Sequence, residues 1–300
     1  MITPETRLLI VDDIHPVFME KLQRAEIAFD YCPTISRMEA VERIAGYTGL
    51  IIRSKFKVDT AFLDAAPNLR VIGRGGAGMD NIDEAYAAEK GITLVNAPEG
   101  NRDAVGEHLI GMLLSLMNHL NRADAEVRNG LWRREENRGL ELGGRTVGLI
   151  GYGNNGQAMA RKFSGFGVTV LAYDKYKTGF SDAHATESDL ETILQQADVL
   201  SLHIPLTDET RGMINDTFLR GFRKPIFFLN GARGEIVEMN AVLRALDEGR
   251  VLGAAFDVLP EEKFPDLARQ DWFVSLIKRD NVILSPHVAG CTVESYFKIA

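Results

Sequence analysis

Three polar side chains follow late apolar runs of this 300-residue sequence and could together perform acid–base chemistry. Arg233 follows "IFFLNGA", Glu262 follows "GAAFDVLPE", and His287 follows "VILSP". The carboxyl ends of strands line the ligand crevice of an open α/β sheet, so these side chains could converge there. Sequence separation alone does not show that they do.

The three residue types suit the reduction of a carbonyl next to a carboxylate. An arginine fork can hold the carboxylate in two hydrogen bonds and polarise the carbonyl. A histidine can protonate the carbonyl oxygen, and a glutamate on its far ring nitrogen would fix the tautomer and raise the histidine pKa. Taken singly, each residue has an ordinary explanation as a surface or loop residue. No metal site is predicted, because the other histidines lack metal-ligand spacing: His15, His108, His119 and His184.

A glycine-rich loop, "GYGNNG" at 151–156, has the surroundings that a dinucleotide requires. It follows the strand-like run "TVGLI" and opens a helical pattern, and Asp174 ends the next strand 23 residues after Gly151. Glycines let the backbone approach a pyrophosphate, the helix start supplies N–H groups, and the acid takes the ribose hydroxyls. Asp174 repels a 2′-phosphate, which favours NAD over NADP, although Lys175 and Lys177 weaken that inference. The alternative is a tight turn that binds nothing.

Two other patterns resemble known sites but lack a residue that those sites require. "GRGGAG" at 73–78 also fits the glycine pattern, but Asn96 stands where the acid should be. We interpret it as a tight loop whose N–H groups could face an anion, or simply as a flexible turn. Asp12 and Asp13 after "LLIV" are typical of a receiver domain, but that reading requires an acid where this chain has Arg53.

The elements that must position these residues alternate between short β-branched runs and helix-length segments. Runs such as "RLLIV", "GLIIR" and "LRVIG" read as buried parallel strands, and the pattern restarts at "TVGLIG" after a long helical segment from Ala104 to about Arg128. The chain therefore reads as two successive doubly wound α/β units with a seam near 98–145.

Composition narrows the functional classes. The apolar fraction of 45% and the charged fraction of 25% are those of a globular protein, and the length suits two domains. The net charge of −8 argues against nucleic acid, and no apolar run reaches the length of a membrane span. With no signal sequence, we expect a cytoplasmic protein, in which Cys32 and Cys291 would be reduced thiols; one disulfide between them is the alternative.

Several motifs together resemble those of one family, in its order and at its spacing. They are "GRGGAGMDNID", "GLIGYGNNG" with Asp174, "HIPLTDETRGMI", "FLNGARGEIV", "GAAFDVLPEE" and "LSPHVAG". On these residues the chain resembles the D-isomer-specific 2-hydroxyacid dehydrogenases over nearly its whole length. Several motifs in the order and at the spacing of one family are more specific than a single glycine loop. They outweigh the interpretation of Arg233, Glu262 and His287 as ordinary surface or loop residues.

The resemblance implies a fold and a cofactor. It implies an α/β protein of two doubly wound parallel-sheet domains, a flavodoxin-like substrate domain of residues 1–98 joined by 288–300 and a Rossmann NAD domain of residues 99–287. The active site would lie in the cleft between them, and closure would exclude water from hydride transfer. The chain would then be an NAD-dependent D-2-hydroxyacid dehydrogenase.

The resemblance also implies residue roles. Arg233 would bind the substrate carboxylate and keto oxygen, His287 would be the general acid and base, and Glu262 its partner. Asp257 would hold the nicotinamide carboxamide, and the segment 203–205 would flank the adenine side. The full set of implied cofactor residues is Gly151, Gly153, Asn154, Asn155, Gly156, Asp174, His203, Pro205, Ala232, Asp257 and Ala289.

The phosphoglycerate dehydrogenases of serine biosynthesis are the subgroup that the chain most resembles. Such enzymes hold the substrate phosphate with basic residues, and the N–H groups of the loop 75–78 would face the substrate carboxylate. The implied substrate residues are Arg53, Ser54, Arg74, Gly75, Gly76, Ala77 and Arg134, with Lys55 nearby. These bases could equally be solvated, which leaves glyoxylate, hydroxypyruvate or pyruvate open. "WRREENRGLELGGR" resembles a dimer-contacting arm, so we expect a homodimer or a higher homo-oligomer.

The chain departs from the family pattern at three places. Asn154-Asn155 stand where Arg-Ile is frequent, the segment 101–108 is a variant, and the sequence ends 13 residues after His287. The last departure indicates a truncated sequence or a short final helix. Two alternatives stay open: a catalytically idle NAD-sensing corepressor, and a formate or phosphite dehydrogenase of the same fold.

Overall fold

The structure is a computed structural model that describes residues 6–300. The chain divides into two compact units, one of residues up to Asn101 together with Cys291–Ala300 and one of Arg102–Gly290. Each unit contains one parallel sheet, of five and seven strands, with helices in the crossover connections. The predicted fold class, two doubly wound α/β domains, is confirmed. The functional division at 98/99 and 287/288 remains a prediction.

The first unit has the flavodoxin-like strand order β2-β1-β3-β4-β5. Its central strands carry apolar runs such as "LLI" and "GLII" that are buried, as expected of strands covered on both faces. The strands are β1 Arg7–Ile10, β2 Ala28–Tyr31, β3 Gly49–Ile52, β4 Val71–Arg74 and β5 Thr93–Asn96. The helices are α1 Val17–Arg24, α2 Arg37–Arg43, α3 Thr60–Asp64 and α4 Glu84–Glu89, with a 3₁₀ turn at Ile44–Gly46.

The second unit has the order β12-β11-β10-β9-β6-β7-β8, which is the Rossmann order extended by one strand. Its strands are β6 Thr146–Ile150, β7 Thr169–Tyr173, β8 Thr186–Glu187, β9 Val199–Leu202, β10 Ile226–Asn230, β11 Val251–Phe256 and β12 Val282–Leu284. Its helices are α5 Pro98–Met117, α6 Leu120–Arg128, α7 Asn154–Phe163, α8 Leu190–Gln196, α9 Asp216–Arg220, α10 Met239–Asp247 and α11 Asp271–Leu276. Short 3₁₀ turns lie at Ser164–Phe166, Gly234–Ile236 and Leu267–Arg269. The chain then returns to the first unit with α12, Val293–Ile299.

The long helix predicted from Ala104 to about Arg128 is two helices. α5 begins earlier, at Pro98, and the break falls at His119, which is left-handed with φ 52°. Here the amide of Leu140 donates to the carbonyl of Met117, and a side chain on Gly139 would collide with Asn118. A segment more than 20 residues downstream therefore ends the helix, which local sequence does not predict. Between residues 6 and 300 no helix combines the length and apolarity needed to cross a membrane.

The order of strands in the second sheet determines which of the predicted site loops are neighbours. β6 and β9 are neighbours at the point where the strand order reverses, so the loop 151–156 and His203 start side by side. The strands β10, β11 and β12 are consecutive neighbours, and the segments after them carry Arg233, Glu262 and His287. Parallel pairing puts all these loops at the carboxyl edge of one sheet, where ligands bind in such folds.

Candidate active site

His287 and Glu262 form a hydrogen-bonded pair. The Nδ1 atom of His287 lies 3.1 and 3.0 Å from the two carboxylate oxygens of Glu262, and the histidine side chain is half exposed. The glutamate thus holds the ring with Nδ1 protonated, and Nε2 makes no hydrogen bond within the described residues. The pair has the arrangement predicted for a proton donor whose free nitrogen faces a ligand.

The contact between His287 and Glu262 changes their pKa values in opposite directions. The hydrogen bond to Glu262 raises the pKa of His287 above its ordinary value, against the opposing effects of partial burial and of the Arg233 charge. Partial burial would raise the pKa of Glu262, but its hydrogen bond with His287 and the nearby positive charges outweigh burial and lower it. The ion pair is therefore favoured from acidic pH up to values above the normal histidine range.

Close loop packing brings Glu262 to this position. A Cβ atom on Gly234 would lie 1.9 Å from the carbonyl carbon of Leu259 and 2.3 Å from the nitrogen of Pro260. Only a glycine allows the loop after β10 to press directly on the loop that carries Glu262. The residue next to this contact is Arg233, which ties the arginine to the histidine–glutamate pair through backbone packing.

Asn230 shapes the turn that presents Arg233. Its fully buried side chain accepts a 3.0 Å hydrogen bond from the amide of Ala232 and donates at 2.9 Å to the carbonyl of Arg233. One arginine nitrogen donates to the carbonyl of Ala232 at 2.6 Å. The buried asparagine was missed from sequence, although its place at the end of an apolar run, before Gly231, is typical of a side chain that forms a turn.

Asp257 holds the backbone around His287. His287 has a left-handed φ of 55°, a conformation that costs a side-chain-bearing residue roughly 1–3 kcal/mol and persists only where its surroundings hold it in place. The carbonyl of Asp257 accepts the His287 amide at 2.8 Å, and its buried carboxylate accepts the amides of Val288 and Ala289 at 2.9 Å. The backbone that carries the histidine is thus anchored on both sides.

Ser285 and His108 extend this network. The Ser285 hydroxyl donates to the carboxylate of Asp257 at 2.6 Å and lies 2.9 Å from Nε2 of His108 on α5. Because the single serine proton goes to the carboxylate, Nε2 of His108 must carry the proton that bonds the serine oxygen. Sequence reasoning treated His108 as an ordinary helical residue. Its partner lies 177 positions away, so no local signal could have identified the contact.

The glycine loop after β6 fits a pyrophosphate. A Cβ atom added to Gly151 would lie 2.4 Å from the carbonyl oxygen of His203, and one added to Gly156 would lie 2.2 Å from the carbonyl oxygen of Gly151. Gly151 also has a φ of 96°, which favours glycine. Gly153 precedes α7 with no side-chain cap, and Asn154 and Asn155 are the first residues of the helix. The leading N–H groups of a helix lack partners within it, so this bare turn offers donors to an anion.

Asp174 and His203 flank this loop. The Asp174 carboxylate accepts the amides of Tyr152 and Tyr176 at 2.9 and 3.0 Å. Lys175 pairs with Glu209, and Lys177 donates to the carbonyl of Tyr152 at 2.7 Å, so both lysines have other partners. Burial lowers the pKa of His203 to about 4, which keeps this ring neutral at pH 7. Pro205 lies in the exposed loop beyond, where its carbonyl accepts the Thr210 hydroxyl.

The loop 75–78 in the first unit offers fewer donors than predicted. The amides of Gly75 and Gly76 already donate at 2.8 Å to the carbonyls of Ile52 and Arg74. Within residues 6–300 the amides of Ala77 and Gly78 make no hydrogen bond. The Arg74 side chain folds over Gly76, where a Cβ atom would lie 1.6 Å from its Nη1 atom. Ala77 and Gly78 are therefore the donors left for an anion.

Arg53 lies in an acidic and aromatic cluster of the first unit. Its guanidinium donates to the carbonyl of Asp13 at 3.3 Å and stands 5.8 Å from the centre of the Tyr296 ring. The Asp13 carboxylate accepts from the hydroxyls of Tyr31 and Tyr296, and burial together with this bond raises the pKa of Tyr296 to about 12. The neighbouring Asp12 accepts the amides of Arg53 and Lys55.

The remaining predicted cofactor and substrate residues differ in their exposure. Ala232 and Ala289 are buried beside the loops of Arg233 and His287, whereas Ser54 and Arg134 are exposed. Arg134 follows α6 in the second unit, in a stretch without helix or strand. Among residues 6–300, no group of three or more histidine, cysteine or acidic side chains could hold a metal ion.

Comparison with known proteins identifies the family. Residues 110–289 match the family described as D-isomer specific 2-hydroxyacid dehydrogenase, NAD binding domain. The chain is 33% identical over 296 residues to a D-3-phosphoglycerate dehydrogenase of Archaeoglobus fulgidus. This match covers 98% of this chain and 55% of the relative. It is 36% identical over 272 residues to a glyoxylate reductase of Thermofilum pendens, in a match that covers 88% of this chain and 78% of the relative.

Structural comparison agrees with the sequence matches. A D-lactate dehydrogenase of Aquifex aeolicus, solved with NAD and lactic acid, superimposes with a TM-score of 0.84 at 27% identity, over 98% of this chain and 92% of that chain. The predictions of the family and of NAD as the cofactor are confirmed. The chain spans about half the length of the phosphoglycerate dehydrogenase that it matches. This chain belongs to the D-isomer specific 2-hydroxyacid dehydrogenase family.

Proposed function

We propose that this chain transfers hydride between NAD(H) and a D-2-hydroxyacid or its 2-ketoacid. The observation that carries the proposal is the bond between His287 and Glu262 with the charge of Arg233 close enough to affect both pKa values. Nicotinamide, when bound, supplies or accepts the hydride. The residues after β10, β11 and β12 then have only to orient the substrate and move one proton.

The proton chemistry follows from the pair. In ketoacid reduction, Nε2 of His287 donates its proton to the carbonyl oxygen as the hydride reaches carbon 2, and Glu262 stabilises the imidazolium beforehand. In the reverse direction, neutral His287 takes the hydroxyl proton. The Arg233 fork binds the carboxylate and polarises the carbonyl oxygen. In the first unit, the amides of Ala77 and Gly78 are proposed as donors to an anion.

For the substrate, we favour a small unphosphorylated ketoacid such as glyoxylate or hydroxypyruvate. Arg53 and Lys55 are the predicted phosphate-binding bases, but the Asp12 carboxylate accepts the backbone amides of both residues, and the Arg53 guanidinium donates to the backbone carbonyl of Asp13. The negative charge of Asp12 next to these residues would oppose the binding of a phosphate dianion. The phosphoglycerate dehydrogenase relative keeps 3-phosphoglycerate as the second candidate, with a role in serine biosynthesis.

A substrate panel tests the proposal. NADH oxidation is measured with glyoxylate, hydroxypyruvate, pyruvate and 3-phosphohydroxypyruvate, and NAD reduction with formate and phosphite. Turnover of a ketoacid that disappears in His287→Ala, while NADH still binds, supports the assignment. NADH binding without turnover of any compound would overturn it and favour the idle NAD-sensing alternative. Turnover of formate or phosphite alone would assign a different reaction.

We also propose a homodimer or higher homo-oligomer. Trp132 is 79% exposed, and Leu131 and Leu140 of the same stretch are exposed as well. Tryptophan is enriched at protein–protein interfaces, which favours an assembly that covers Trp132. Light scattering after gel filtration measures the assembly, and a monomeric native protein would contradict the proposal. Cytoplasmic location stays a prediction.

A further inference from the structure

Arg102, on α5, carries a half-buried positive charge that has no acidic partner among residues 6–300. Its Nη1 atom donates at 3.3 Å to the side-chain oxygen of Asn154, and its Nε atom is buried without a hydrogen bond. No carboxylate of residues 6–300 lies within 4.0 Å of this guanidinium. Asp103 pairs with Arg161 and Glu107 with Lys162, and Glu99, one turn before Arg102 on the same helix, makes no ion pair with it.

The position of this charge is unfavourable in the absence of an anion. Asn154 is the first residue of α7, and the start of a helix carries about half a positive charge. A guanidinium held beside that end is repelled by it, and its burial forfeits part of its hydration. A bound anion would relieve the repulsion and accept the hydrogen bond that the buried Nε–H of Arg102 does not make.

We propose that Arg102 binds the pyrophosphate of the dinucleotide and supplies the cationic contact of this site. The chain has neutral Asn154 and Asn155 between the second and third glycines, so the glycine turn itself provides backbone donors without a cationic side chain. Asn154 orients the fork of Arg102 toward the turn. This inference rests on NAD binding by the family domain and is independent of the proposed hydride transfer.

The test is NADH affinity of purified Arg102→Gln, measured by calorimetry over a range of salt concentrations. Loss of a charge-assisted contact should weaken binding about tenfold or more, and the salt dependence should become shallower. Arg102→Lys keeps the charge but not the fork and should bind with intermediate affinity. Arg161→Gln is the matched control, because it removes an arginine of α7 that already pairs with Asp103, and it should bind NADH as the native protein does.

A second readout separates ligand binding from a structural role. If Arg102 serves the pyrophosphate, Arg102→Gln should melt at the native temperature or higher without ligand, and lower only when NADH is present. Adenosine, which lacks the pyrophosphate, should bind native protein and variant equally. Unchanged NADH affinity, or an equal loss for adenosine, would overturn the proposal, as would a lower melting temperature of the ligand-free variant. None of these measurements requires turnover, so they stand whatever the substrate panel shows.

Discussion

Replacing Gly234 with alanine tests whether loop packing sets the catalytic geometry. The added Cβ would lie 1.9 Å from the carbonyl carbon of Leu259, whereas ordinary contact begins at 3.4 Å. The two loops must therefore separate by about 1.5 Å. Glu262 lies three residues beyond Leu259 and is bonded to His287 at 3.0 Å, so such a displacement would take the pair beyond hydrogen-bonding distance.

We expect Gly234→Ala to lower kcat/KM by about 100-fold, the effect of misplacing a catalytic group by roughly 1 Å. Overpacking should also cost about 1–3 kcal/mol of folding stability, visible as a lower melting temperature. The assay is ketoacid reduction with the best substrate of the panel, at a temperature where both proteins are folded. NADH affinity should change little, because the glycine turn after β6 is untouched.

Gly165→Ala is the matched control. Gly165 lies in the same unit, and a Cβ atom there meets nothing within 4 Å, so kcat/KM should stay native. If Gly234→Ala kept kcat/KM within about threefold of native, packing of Gly234 on Leu259 would not determine the position of Glu262.

Three further variants test the site. Glu262→Gln removes the main cause of the raised pKa of His287. The pH at which kcat/KM for ketoacid reduction falls should therefore be lower in the variant, and an unchanged pH profile would exclude His287 as the titrating acid. Arg233→Lys keeps the charge but loses the fork and should lower turnover about 100-fold with NADH binding nearly intact; native turnover would refute the carboxylate role. Ser285→Ala should release Asp257 and lower kcat, and Ser285→Thr, which keeps the hydroxyl, should restore it; failure of that rescue would mean that the 2.6 Å bond does not position His287.

Local sequence was sufficient for the architecture and for the strand–turn–helix geometry of the glycine loop. Buried β-branched runs that alternate with amphipathic segments specify strands and helices through backbone and solvation preferences that act over a few residues. The glycines of 151–156 and Asp174 belong to one strand–turn–helix–strand unit, so their spacing along the chain already determines their spacing in space. The placement of Asp174 beside the turn follows from that unit.

The break at His119 and the neighbours of Arg53 could not be predicted in this way. The first depends on Leu140 and the second on Tyr296 of α12, and both partners are remote along the chain. The same holds for the loop 75–78, where folding engages the amides of Gly75 and Gly76 and leaves only those of Ala77 and Gly78.

The sequence by itself determined the two α/β units, the family and the types of the three catalytic candidates. Only the tertiary structure decided that Glu262 touches His287, that Asp257 anchors the histidine backbone, and that Arg102 donates to Asn154 at the start of α7. The physical reason is that the carboxyl edge of a parallel sheet gathers loops from strands far apart in sequence. Hydrogen bonds between such loops depend on strand order and packing, which no local pattern records.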